Sequence, residues 1–178
     1  MVKRRSLQAV LAFFLMALFV ALAPTSASAA SLGPYIIQQI GNLKCVEVPS
    51  AGAAGVNATL QTQNCFGNRQ QWQQWYFVET GNSNYYRLKN VRSGLCASLY
   101  SSQVTPIDVV QKSCTTLTQA TLDQWRPINK ITSGGLDWYR LQNPNGRCLG
   151  TLVPAGTGTP VYQVGSCTGD NTYWTWRF

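Results

Sequence analysis

Apolar and polar residues alternate with a period of two in short runs along most of this chain, and no stretch of the mature part is convincingly helical. Two such runs are near twins. YYRLKNVRSGLC (Tyr85–Cys96) and WYRLQNPNGRC (Trp138–Cys148) lie 53 positions apart, counted from Tyr86 to Tyr139. A third, more eroded copy is YIIQQIGNLKC (Tyr35–Cys45). Tyr35, Ile37 and Gln39 fall opposite Tyr86, Leu88 and Asn90, and opposite Tyr139, Leu141 and Asn143. Period-two runs of four to six residues bounded by Gly, Pro, Asn and Ser predict strands and turns. Ser93-Gly94 and Asn145-Gly146 stand where a tight hairpin needs a positive φ.

Each copy then continues in one order. After its first cysteine comes a strand-like piece (CVEV, CASL, CLGT), then a loop of small residues. A second alternating stretch leads to a second cysteine (TLQTQNC, IDVVQKSC, VYQVGSC), and a tryptophan-bearing strand closes the copy (QQWYFV, DQWRPI, WTWRF). Four strands in each of three copies predict twelve, with the copies at about 35–80, 85–130 and 138–178. A four-strand unit of about fifty residues cannot bury both faces alone, so the copies must share one core. The prediction is one all-β domain over 31–178 with pseudo-threefold symmetry.

The N-terminus reads differently. MVKRR, the apolar run AVLAFFLMALFVALA and the small residues of TSASAA make a secretory leader, expected over residues 1–30. The run is shorter than the ~20 residues that span a bilayer, and Pro24 ends it, so export is expected and membrane insertion is not. Removing residues 1–30 leaves 148 of 178 residues and lowers the formal charge from +8 to +5. The remaining basic residues are scattered singly, which argues against nucleic-acid binding. Asn57-Ala58-Thr59 fits a glycosylation acceptor.

All six cysteines fall in the mature part, and an even count in an exported chain reads as three disulfides. Pairing within each copy (Cys45–Cys65, Cys96–Cys114, Cys148–Cys167) keeps the threefold pattern, and any other scheme breaks it. Closing loops of this size contributes roughly 3 kcal/mol each on the chain-entropy view.

With the threefold period, the paired cysteines, Gly-Thr-Pro-Val at Gly158–Val161 and Gln73-Gln74-Trp75, the chain resembles the ricin-B-type β-trefoil lectin family over nearly all its mature length. The counterparts of that Gln-x-Trp signature read Asp123-Gln124-Trp125 and Trp174-Thr175-Trp176. The resemblance implies a β-trefoil, a six-strand barrel capped by three hairpins, and Trp75, Trp125 and Trp176 as core rings. Their recurrence beside apolar neighbours also favours a core layer over a sugar-stacking platform.

The family's usual business is carbohydrate binding, with an acid two residues after each first cysteine, an aromatic two before each second cysteine, and an asparagine three before the signature tryptophan. Carried onto this chain, the acid positions are Glu47, Ser98 and Gly150; the aromatic positions are Gln63, Lys112 and Gly165; the asparagine positions are Trp72, Leu122 and Tyr173. Only Glu47 is chemically close, so the familiar site is degraded. Copy one keeps the most polar equipment, and the candidate sugar-binding residues are Glu47, Gln63, Asn64, Asn68 and Trp72, with Tyr162 from copy three.

The chain has no histidine and six scattered acids, and its cysteines are consumed in bridges. That is poor material for acid–base or thiol catalysis and for a metal site. The expectation is a secreted, monomeric, cofactor-free glycan-binding domain without catalytic activity. The alternative is an extracellular protein ligand such as a protease inhibitor, which would use the three small-residue loops.

Overall fold

A computed structural model describes residues 30–49, 55–66, 70–82, 84–101, 106–114, 121–152 and 156–178. The expected leader lies outside the described residues except for Ala30. Copy one forms β1 (Ser31–Gln39), β2 (Cys45–Glu47), β3 (Gln61–Gln63) and β4 (Gln74–Glu79). Copy two forms β5 (Tyr86–Asn90), β6 (Cys96–Leu99), β7 (Ile107–Lys112) and β8 (Arg126–Ser133). Copy three forms β9 (Leu136–Gln142), β10 (Cys148–Gly150), β11 (Thr159–Pro160), β12 (Tyr162–Val164) and β13 (Tyr173–Arg177).

Among the described residues thirteen strands replace the twelve expected, because the third strand of copy three is split at Val161. Thr159 and Pro160 pair with β3, whereas Tyr162–Val164 pairs with β10 and β7. Val161 stands between two neighbours: its N–H donates to the Leu60 carbonyl (2.9 Å) and its carbonyl accepts from Val109 N–H (3.0 Å). Leu60 N–H donates in turn to the Val109 carbonyl (2.8 Å), which closes a three-membered backbone ring with one residue from each copy.

Six strands close a barrel. β1 pairs with β4, β4 with β5, β8 with β9, β9 with β13 and β13 with β1; Tyr86↔Trp125 bridges β5 to β8. The pairs β2–β3, β6–β7 and β10–β12 form the three hairpins. The chain is a β-trefoil, and closure leaves the barrel few free edges. Three disulfides, Cys45–Cys65, Cys96–Cys114 and Cys148–Cys167, staple first to second cysteine within each copy, with Cα–Cα distances of 5.2, 5.1 and 5.2 Å.

The core rings repeat by threefold symmetry, with one correction. Trp75, Trp125 and Trp174 are fully buried. Each stands opposite its copy's tyrosine (Tyr35, Tyr86, Tyr139) and donates its indole N–H to a hairpin carbonyl: Val46 at 3.2 Å, Ala97 at 3.0 Å and Leu149 at 3.0 Å. The core tryptophan of copy three is therefore Trp174, not the expected Trp176. Trp176 is only partly buried and packs on the core's edge, stacked on Tyr139 (ring centroids 4.7 Å apart) and tilted against Phe77 (5.1 Å).

Candidate functional site

The copy-one corner begins with Glu47, the last residue of β2, where pairing with β3 sets it opposite Gln61. Glu47 is 4% exposed. Its carboxylate accepts from Gln73 Nε2 (2.8 Å) and from Gln61 Nε2 (3.4 Å). Gln73 is fully buried; its amide also donates to the Asn64 carbonyl (2.7 Å) and accepts from Phe66 N–H (2.9 Å). A buried carboxylate needs such partners, and here they all come from the same copy. Gln63 is half-buried and accepts from Asn64 N–H (3.1 Å), while the Asn64 side chain accepts from Lys44.

Trp72 sits in the 3-10 turn Gln71–Gln73, half-buried against the core, with the Arg92 guanidinium 5.3 Å from its ring centroid. Its carbonyl accepts from Val48 N–H (3.1 Å) and Asn90 Nδ2 (3.0 Å). Asn68 lies outside the described residues. Tyr162 is in β12, opposite Gly150 and Asp108, and among the described residues it makes no hydrogen bond or ring contact with Glu47, Gln63 or Asn64. Phe66, half exposed beside Gln73, is an aromatic that sequence reasoning missed. Its place directly after Cys65, instead of two residues before it, hid it.

The place of Gln73 is taken by Asp123 in copy two and, once Trp174 is the core ring, by Thr172 in copy three. Asp123 is buried and accepts from Arg87 Nε (2.8 Å), while its other oxygen has no partner among the described residues. Burial pushes its carboxyl pKa up, against the lowering effect of the Arg87 hydrogen bond and charge. Thr172 accepts from Arg140 Nε (3.0 Å), whose guanidinium lies 4.0 Å from the Tyr173 ring centroid.

The same shift of register moves the asparagine position of copy three from Tyr173, where the sequence had put it, to Asn171. Asn171 belongs to a cleft of about 450 Å³ between copies three and one. The walls are the turn after β1 (Gln39, Ile40, Gly41, Asn42) and Leu152, Asp170 and Asn171. Gln39 ties the walls together, donating to the Asn171 carbonyl (2.8 Å) and Thr151 Oγ1 (3.2 Å) and accepting from Asn42 Nδ2 (2.7 Å). The Asn171 amide donates to the Thr151 carbonyl.

Asp170 opens the 3-10 turn Asp170–Thr172 and is exposed; among the described residues its carboxylate has no partner. Leu152 offers an exposed apolar face on the same rim. Gly150, where the resemblance would place an acid, has no room for one: a Cβ there would meet the Asn171 carbonyl at 3.0 Å and Val164 Cγ2 at 3.2 Å. The cleft's carboxylate therefore comes from Asp170, on a different element.

Among the described residues no three His, Cys, Asp or Glu side chains gather as metal ligands. No described helix is long and apolar enough to cross a membrane. No curated protein matches the chain. Among solved structures it is similar to the designed threefold-symmetric protein ThreeFoil (23% identity, TM-score 0.69, covering 81% of this chain and 97% of that one). It is also similar to the Rhizoctonia solani agglutinin (19%, 0.64, 86% and 98%). A third is the Macrolepiota procera ricin B-like lectin, solved in complex with lactose (16%, 0.63, 85% and 97%). At these identities the likeness concerns the fold. The profile of the ricin-type beta-trefoil lectin domain-like family matches residues 71–164, more than half of the chain, and with the threefold tryptophans, bridges and barrel described above it establishes that this chain belongs to that family.

Proposed function

We propose that this protein is a secreted, non-catalytic carbohydrate-binding domain, and that its sugar site is the cleft between copies three and one. The observation that carries this reading is the uncommitted Asp170 carboxylate facing an amide-rich turn and the apolar Leu152 across one hollow. A sugar needs that combination: acceptors and donors for its hydroxyls and a nonpolar surface for its C–H face. The Macrolepiota procera relative was solved with lactose, which supports the ligand class. The copy-one corner, by contrast, has its carboxylate buried and bonded within the protein, which suits support of the fold better than capture of a ligand. Export is supported by the leader-like first thirty residues and by three disulfides, which persist in oxidising compartments.

The test is a glycan array of the mature domain, repeated with Asp170→Asn, Leu152→Ala, Glu47→Ala and Trp72→Ala. Binding that Asp170→Asn and Leu152→Ala weaken, and Glu47→Ala does not, supports the cleft. Binding lost only with Glu47→Ala or Trp72→Ala moves the site to copy one. No glycan binding, together with stoichiometric inhibition of a protease, replaces the reading with the protein-ligand alternative, whose small-residue loops fall partly outside the described residues.

A further inference from the structure

We propose a second saccharide site, in the hairpin that joins copies one and two, for a single neutral hexopyranose at the end of a glycan. The assignment rests on the reading of the protein as a glycan binder, but not on the Asp170 cleft. A hollow of about 240 Å³ lies there, lined by Glu79, Thr80, Asn82, Asn84, Tyr85 and Tyr86. None of these occupies a position that the family resemblance marks for sugar.

The described residues of the hairpin are tied to one another and to the barrel. Thr80 Oγ1 donates to the Tyr85 carbonyl (3.0 Å) and accepts from Asn82 N–H (3.2 Å), and Thr80 N–H donates to the Tyr85 carbonyl (3.1 Å). Asn82 Nδ2 reaches Gln124 Oε1 of copy two (3.0 Å) and anchors the turn to the barrel. The Tyr85 ring is held under the Arg126 guanidinium, 5.4 Å from its centroid, while Arg126 is itself bonded to Gln142 Oε1 (2.7 Å). The Tyr86 ring is set edge-on against Phe77, 5.9 Å between centroids. Rigid side chains lose little entropy on binding.

Against that frame, two groups are uncommitted. Among the described residues neither the Glu79 carboxylate nor the Asn84 amide has a partner, and both are exposed. An ionised carboxylate accepts two hydroxyls at once, and an amide both donates and accepts, so together they suit a vicinal diol. Tyr85, covered on one face by Arg126, and the core-packed Tyr86 line the same mostly polar hollow and offer a ring edge to the C–H face. Glu79 and the Arg126 guanidinium over Tyr85 leave the rim with no net charge, so nothing there draws an acidic sugar in preference to a neutral one.

The position has a consequence for avidity. Glu79 N–H bonds the Ala30 carbonyl (2.9 Å) at the start of β1, whereas Gln39 of the cleft ends that nine-residue strand. At about 3.3 Å per residue the two sites stand on the order of 30 Å apart, so one molecule can bridge two glycans.

The test is amide chemical-shift mapping of the mature domain with the methyl glycosides of galactose, glucose, mannose and N-acetylglucosamine. At least one sugar is expected to shift the signals of Glu79–Asn82 and Asn84–Tyr86. Glu79→Gln should weaken that binding about tenfold, which is 1.4 kcal/mol, and Asn84→Gly, which tolerates the positive φ of that position, about threefold; Asp170→Asn should leave it unchanged. Unaltered spectra away from the hairpin verify that the variants fold. Shifts confined to the Asp170 cleft overturn the hairpin site and leave the first reading standing. Shifts at neither place with any of the four overturn both. Hairpin shifts that survive Glu79→Gln at full strength remove the carboxylate from its role and overturn the assignment.

Discussion

Copies one and three fill the same corner of the trefoil with opposite economies. The copy-one corner holds Glu47, Gln61, Gln63, Asn64 and Gln73, yet Glu47 is buried and the Gln73 amide is bonded at both ends within the protein. The copy-three corner has Gly150 and Thr172 at the corresponding acid and glutamine places, yet Asp170 stands beside them in an open cleft with its carboxylate free among the described residues. The lesson is that hydrogen-bonding capacity spent inside a protein is unavailable to a ligand. Counting polar residues favours copy one; asking which of them are already satisfied favours copy three.

The hardest blow to this comparison would come at the register of copy three, which makes Asn171 the counterpart of the family's asparagine position. Trp174→Ala is expected to cost about 3–5 kcal/mol, the usual range for a large buried aromatic, and Trp176→Ala less than half of that. Guanidinium titration of both variants checks it; the reverse ranking would return the core role to Trp176 and the asparagine position to Tyr173. Glu47→Ala comes next. It strips a buried amide of its acceptor and should cost about 1–3 kcal/mol, measured the same way, without displacing ligand from the cleft. A fully stable variant that no longer binds sugar would invert the contrast between the two corners.

Copy two sharpens the comparison through pH. Burial raises the Asp123 pKa above its ordinary value, so the folded state resists its ionisation. The stability linked to this group is fully present below the free-aspartate value of about 3.9 and is lost as pH rises through the raised folded value. Asp123→Asn should therefore gain on the wild type as pH climbs from the acid side toward neutrality, with Arg87 keeping an oxygen partner. A wild type that instead gains on the variant over that range would mean that Arg87, not burial, governs the corner, and a flat difference would mean that the two effects cancel. The smallest structural effect is expected at Asp170→Asn: stability within about 0.5 kcal/mol, with affinity in the cleft down about tenfold. Calorimetric titration alongside denaturation separates the two readouts.

Much of the fold was legible because it is written three times. The tyrosine-to-cysteine spacing aligned the copies, and the recurring glycine-bearing turns marked the hairpins. Trp75 and Trp125 were found for the same reason. Copy three escaped at one point. Its second cysteine precedes the core ring by only 7 residues, against 10 and 11 in the other copies, and two tryptophans two positions apart both fit the pattern. Residues i and i+2 of a strand share a face, so periodicity cannot choose between Trp174 and Trp176; the pairing of Tyr139 with Trp174 does. The split of the strand at Val161 was hidden likewise, because it follows from neighbours in two other copies. Glu47 was read as a ligand group from its position after Cys45, which says nothing of the Gln73 amide that occupies it.

The sequence by itself determined the threefold plan, the strand content and the cysteines that must pair, since alternation and spacing are local and repeated. Which tryptophan is core, which carboxylates are buried and bonded, and which face open hollows were decided only by the closed barrel. Burial and hydrogen-bond satisfaction depend on residues brought together from different copies, and that encounter exists only once the chain has folded.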